Sequence, residues 1–158
     1  NLVMFIGILW LSLFLLYSIL NGLTLSFIFM AYTSASIAST FIITAGTFGA
    51  MSLYGYSTKK DLTKIGNIAF MALIGIIIAS VVNFFMESSM MSWVITYLGV
   101  LIFVALTAYD TQKLKRIAIN GFDNEESMEK SAILGALTLY LDFINLFLFL
   151  LRIFGDRK

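Results

Sequence analysis

Residues 1–58, NLVMFIGILWLSLFLLYSILNGLTLSFIFMAYTSASIASTFIITAGTFGAMSLYGYST, contain no Asp, Glu, Lys or Arg. As one helix this stretch would run about 87 Å at 1.5 Å per residue, against a hydrocarbon core of about 30 Å, so it must cross a bilayer more than once. The polar break Tyr32-Thr33-Ser34 divides it into spans at about 2–31 and 36–56. The rest of the chain shares the bias. Its 158 residues are 60% hydrophobic and 12% charged, with a mean hydropathy of +0.97. Soluble domains average about 45–50% apolar and about 25% charged residues, which excludes a soluble single domain.

Beyond residue 58 the charges mark connectors. Lys59-Lys60-Asp61 to Lys64 separates the second span from a third at about 66–86, and Glu87-Ser88-Ser89 separates that from a fourth at about 91–110. A hydrophilic stretch from Lys113 to Lys130, turning at Asn120-Gly121, leads to a fifth span at about 131–154. These continuous runs are two to three times longer than the roughly ten-residue alternating segments of a membrane barrel. The fold class is therefore all-α: a polytopic transmembrane helical bundle forming one integral membrane domain over residues 1–158. The connectors at 59–64 and 113–130 hold the basic residues Lys59, Lys60, Lys64, Lys113, Lys115, Arg116 and Lys130. By the positive-inside rule they are cytoplasmic and the Glu87 turn is outside. The C-terminus then falls outside, with Arg152, Arg157 and Lys158 opposing that orientation.

The absences narrow the chemistry. Without Cys there is no disulfide framework or thiolate site, and without His the commonest neutral-pH proton switch is missing, so proton chemistry falls to carboxylates. A net charge of +1, with no basic run interleaved with aromatics, gives no footprint for nucleic acid. Gly46-Thr47-Phe48-Gly49 lies inside an apolar helix and lacks the Gly-Lys-Ser/Thr of a phosphate loop. The chain starts on Asn1 with no basic n-region, which reads as no signal peptide and as sequence missing upstream. Small residues at Ser18/Gly22/Ser26, Ala35/Ser39, Ala45/Gly49, Gly46/Ala50 and Gly75 are expected to form helix-packing seams.

Two carboxylates stand out. An acid within a span costs at least about 2.5–3.5 kcal/mol on insertion scales and normally faces a bundle interior or cavity. Asp142 lies roughly 16 Å into the fifth helix from Ser131, near mid-membrane, on a stripe with Ser131, Gly135, Thr138 and Asn145. Leu137, Leu141, Ile144 and Leu148 form the opposite, lipid-like face. Asp110 ends the fourth span, on a face with Thr107, Phe103, Gly99 and Thr96, and could pair with Lys113 at i+3.

The fifth span carries a resemblance. Leu139-Tyr140-Leu141-Asp142-Phe143-Ile144-Asn145-Leu146-Phe147, continuing through Leu150-Leu151-Arg152-Ile153-Phe154-Gly155, resembles the C-terminal signature of the Bax inhibitor family, the transmembrane Bax-inhibitor-motif proteins. Ala108-Tyr109-Asp110-Thr111-Gln112 resembles the end of that family's penultimate helix, and residues 46–61 its fourth helix and basic connector. The resemblance implies a seven-helix fold of which this chain supplies helices three to seven, in a prokaryotic member lacking the first two helices. It implies a pH-sensitive calcium leak channel in the bacterial cytoplasmic membrane, with Asp110 and Asp142 as the sensor and Arg152 within the supporting motif. The basic residue that latches the pair in the family lies upstream of Asn1 and has no counterpart here.

The residues agree with that chemistry. Ca²⁺ prefers hard oxygen ligands, which Asp110, Asp142, Asn145, Thr138 and Thr107 supply without sulfur or imidazole. Calcium is then a permeant or transient ligand, protons are the second partner, and no tightly bound cofactor is implied. Two carboxylates held together share one proton. Two rivals remain. Intramembrane aspartyl proteases pair Tyr-Asp with Gly-x-Gly-Asp, but Asp142 follows Leu139-Tyr140-Leu141, so the second half fails and the chain reads as a non-enzyme. The other is a regulatory membrane protein of cell death or stress that conducts nothing; a proton-coupled transporter would show an inverted repeat, and none is visible.

Overall fold

The structure is a computed structural model that describes all of residues 1–158 as five helices: α1 Leu2–Ala31, α2 Ser34–Ser57, α3 Thr63–Met86, α4 Ser89–Asn120 and α5 Glu125–Phe154. All five are long and apolar enough to cross a membrane. Four begin at side-chain caps, Asn1, Thr33, Ser88 and Asn124, and Asn124 with Ser127 closes a reciprocal capping box. The α3 start has no such cap.

Two helices outrun the spans expected from hydropathy. The fourth, expected at 91–110, continues to Asn120, and the fifth, expected from 131, begins at Glu125. Apolar content reports where a helix meets lipid, whereas hydrogen bonding continues until a cap stops it. The stop for α4 is Gly121, whose φ of 80° suits a residue without Cβ, and Asn124 starts the next helix.

The α4 helix packs against α2, α3 and α5, and α2 also lies on α5. One apolar core joins Ala69 and Ile76 of α3, Ile102, Phe103 and Leu106 of α4, and Leu146 and Leu150 of α5. Phe41 and Phe48 of α2 straddle Phe143 with edge-on ring contacts, both at 5.4 Å between centroids. At the end of the bundle that holds the Glu87 turn, the C-terminal residues close onto the α1–α2 junction. Lys158 N–H donates to the Ala31 carbonyl at 2.9 Å, Thr33 N–H to the Asp156 carbonyl at 3.0 Å, and Arg157 lies over the Tyr32 ring. These contacts give the basic C-terminal residues local partners.

The packing seams are not where small-residue spacing placed them. An added Cβ at Gly22, Gly46, Gly49 or Gly75 would meet nothing within 4 Å. Close contacts within the helices fall instead at other glycines: Gly55 lies against the Ala108 carbonyl, Gly66 against the Tyr109 ring, Gly99 against the Phe149 ring and Gly135 against the Leu114 side chain. The buried edge of α2 is made by Ser36, Thr40, Thr44 and Gly55. Spacing alone does not say which face of an apolar helix meets protein, because lipid is as apolar as leucine.

Candidate functional site

Asp110 and Asp142 come together. Asp142 sits on α5 one turn past Thr138, with only 5% of its surface exposed, and its carboxyl shares one cavity with that of Asp110 on α4. Its Oδ2 is buried without a hydrogen-bond donor. Both acids line a cavity of about 620 Å³ between α3, α4 and α5. The seam that leads to Asp110 along α4 is buried as its pattern suggested, with Thr96, Gly99, Phe103 and Thr107 all inside.

The supporting residues divide. Thr138 and Asn145 line the same cavity as the acids, and Thr107 is fully buried on the α4 face one turn before Asp110. Each satisfies its donor locally. Thr107 Oγ1 donates to the Phe103 carbonyl at 2.7 Å, Thr138 Oγ1 to Leu134 at 2.9 Å, and Asn145 Nδ2 to Leu141 at 2.8 Å. Arg152 is not part of this group: it is exposed near the far end of α5, against a second cavity of about 330 Å³ with Tyr32 and Asn145. Asp110 and Lys113 line the same cavity but form no ion pair, since the ion pairs present are Asp61–Arg116 and Glu126–Lys130.

Other residues enter that the sequence reading passed over. Leu141, assigned to a lipid face, lines the cavity beside Asp142, because the cavity subtends more of α5 than the polar stripe. Asn67 and Ser80 of α3 line it as well; a polar side chain inside the most apolar stretch was the available signal. Tyr109, quoted only as part of a motif, also reaches the cavity, its ring packed on Gly66. No group of three or more Asp, Glu, His or Cys is close enough to hold a metal, so any cation here would rest on two carboxylates and neutral oxygens.

Outside the membrane, Asp61 in the α2–α3 connector accepts from the backbone and hydroxyl of Thr63 at 2.9 and 2.6 Å and from Arg116 at 2.8 Å. The Thr63 hydroxyl, then Arg116, hold its carboxyl well below the usual carboxylate range. The sign follows from linkage: the contribution of a carboxylate depressed in the folded state is present above its ordinary pKa and disappears only as the pH falls through the lowered one. Asp61 therefore stays ionised from neutral to mildly acid pH.

Comparison with known proteins places this arrangement. The family described as Inhibitor of apoptosis-promoting Bax1 matches residues 6–158. The chain is 65% identical over 147 residues to the inner membrane protein YbhL of Escherichia coli, an alignment covering 92% of this chain and 63% of that protein. It is 55% identical over 147 residues to a protein of Borreliella burgdorferi, covering 93% and 63%. To a membrane protein of Streptococcus pyogenes it is 48% identical over 147 residues, covering 92% and 62%. The chain thus spans a little under two thirds of the length of these relatives. Five apolar helices and bacterial inner-membrane relatives make it a multi-pass bacterial membrane protein, and it belongs to the Bax inhibitor family.

Proposed function

We propose that the protein is a pH-sensitive calcium leak pathway in which Asp110 and Asp142 hold either a shared proton or a passing Ca²⁺. The observation that carries this reading is the buried Asp142 carboxyl, which lines one cavity with a second carboxyl and leaves Oδ2 with no donor. One proton held between the two acids supplies the missing hydrogen bond and halves the buried charge. A divalent cation supplies the same neutralisation by other means. It would draw on the pair, the Asn145 amide oxygen and the Thr138 hydroxyl, which line the cavity, whereas Thr107 is sealed behind them. Two carboxylates are few for a permanent Ca²⁺ site, which ordinarily gathers six to eight oxygens, and weak holding suits passage better than storage. Gain or loss of the proton changes the repulsion between α4 and α5, and that change is the gate.

The test is Ca²⁺ flux by the intact protein in liposomes as external pH is varied. Asp142→Asn and Asp110→Asn should each abolish the pH dependence. A flux profile that neither substitution alters overturns the reading. A purified protein that moves no Ca²⁺ at any pH favours the non-conducting regulator, and cleavage of a transmembrane peptide would favour the aspartyl protease.

A further inference from the structure

The start of α3 is held from another helix. Leu62 stands at its N-cap without a capping side chain, and its N–H donates to Gln112 Oε1 of α4 at 2.9 Å. Gln112 Nε2 in turn donates to the Lys60 carbonyl at 2.7 Å. A primary amide can donate to a carbonyl while accepting from an N–H, so Gln112 pairs with the connector backbone as a strand neighbour would. It does so from inside the protein: Gln112 is 6% exposed and Leu62 3%. Arg116, one turn on, donates to the same Oε1 and to Asp61 Oδ1, both at 2.8 Å.

Gln112 lies two residues from Asp110. On the other side, Ala108 meets Gly55 of α2 so closely that a Cβ there would strike its carbonyl oxygen, and Tyr109 seats its ring on Gly66 of α3. Residues 108, 109 and 112 are thus each fixed by a different neighbouring segment. An intact hydrogen-bonded helical turn joins them, which leaves Asp110 no independent choice of height or rotation.

We propose that Gln112 is a positioning residue that couples the α2–α3 connector to the Asp110 carboxyl, so that a movement of the connector becomes a movement of Asp110 relative to Asp142. This deepens the aspartate-pair reading and rests on it. The connector carries Lys59 and Lys60, both exposed at the same end of the bundle, so whatever engages that surface acts on the pair through one buried amide.

The experiment measures Ca²⁺ flux by the intact protein in liposomes as a function of Ca²⁺ concentration. Gln112→Leu removes both backbone bonds and is expected to raise the half-saturating Ca²⁺ concentration about tenfold, with maximal flux held within about twofold. Gln112→Glu keeps an oxygen for Leu62 N–H and Arg116 while losing the bond to Lys60, and should fall between. A general loss of folded protein would lower maximal flux and leave half-saturation alone. If Gln112→Leu does not fold, Gln112→Glu and Arg116→Gln carry the comparison, each expected to shift half-saturation in the same direction. Unchanged half-saturation in the variants that fold, with Asp142→Asn still abolishing the pH dependence, overturns the coupling and spares the aspartate reading. Flux indifferent to Asp142→Asn overturns the reading beneath it.

Discussion

The α1 and α5 helices are each 30 residues long and both can span a membrane, yet they stand in opposite relation to the other helices of this chain. The first buries no residue, whereas the last buries Gly135, Asp142, Leu146, Phe147, Leu150 and Leu151. The polar groups of α1 turn back on their own helix: Ser12, Ser18 and Thr24 hydroxyls donate to the carbonyls four residues earlier. Its attachment is at one end, where Lys158 N–H meets the Ala31 carbonyl and Ile28 packs beside Tyr32. The α5 helix carries a small residue and a carboxyl on the face that meets α4. Apolar surface makes a span, but in lipid it does not make a contact, and association rests on close approach and on polar groups that seek partners.

The sharpest way to break the comparison is to place the same side chain in both settings. Gly55→Leu drives its Cβ into the Ala108 backbone carbonyl, and backbone in the middle of a helix cannot step aside. Such overpacking should cost about 3 kcal/mol of stability, read as a lowered unfolding midpoint in detergent micelles. Gly22→Leu on α1 meets nothing within 4 Å and should leave the midpoint within about 0.5 kcal/mol of its starting value. Equal behaviour of the two variants would mean that the contact between α2 and α4 does not organise the bundle.

A milder version probes α4 against α5 beside the site. A Cβ at Gly99 would lie 2.6 Å from the Phe149 ring, which is a side chain and can rotate away from its stack on Phe103. Gly99→Ala should therefore cost about 1 kcal/mol, less than Gly55→Leu because the obstacle yields. A loss as large as that of Gly55→Leu would show that the Phe103–Phe149 pair is as fixed as backbone.

The sequence made the spans and the two acids legible for one reason: charge is scarce, so each charged residue marks either a membrane boundary or a buried anomaly. Asp142 is readable because the distance from Ser131 places it deep within a span, and Asp110 because a seam of Thr96, Gly99, Phe103 and Thr107 leads to it. The rest depends on which helix faces which. Gly22, Gly46, Gly49 and Gly75 carry the spacing of a seam, yet a Cβ at each meets nothing, while Gly66, in no small-residue pair, lies against the Tyr109 ring. Leu141 looks lipid-facing by type and lines the cavity. Gln112 is an ordinary polar residue just past the apolar part of α4, and its bonds reach backbone 50 and 52 residues away, a pairing that no local pattern encodes.

The smallest expected effect isolates a hydroxyl. Thr24 on α1 and Thr40 on α2 are the same residue in the two settings: Thr24 Oγ1 donates to the Leu20 carbonyl, whereas Thr40 Oγ1 is fully buried with no partner. Valine matches threonine in shape but lacks the oxygen, so Thr40→Val removes a buried polar atom that gains nothing from the fold. It should leave stability unchanged or raise it by about 0.5–1 kcal/mol, while Thr24→Val should change it by less than about 0.5 kcal/mol. Unfolding midpoints of the two variants, measured side by side in micelles, decide the matter. Thr40 stands one turn from Thr44 on the α2 edge that faces the core, and Phe41 and Phe48 bracket Phe143, the residue after Asp142. A loss of stability in Thr40→Val alone would therefore mean that this hydroxyl is paired, and that the polar surroundings of the aspartates extend across to α2.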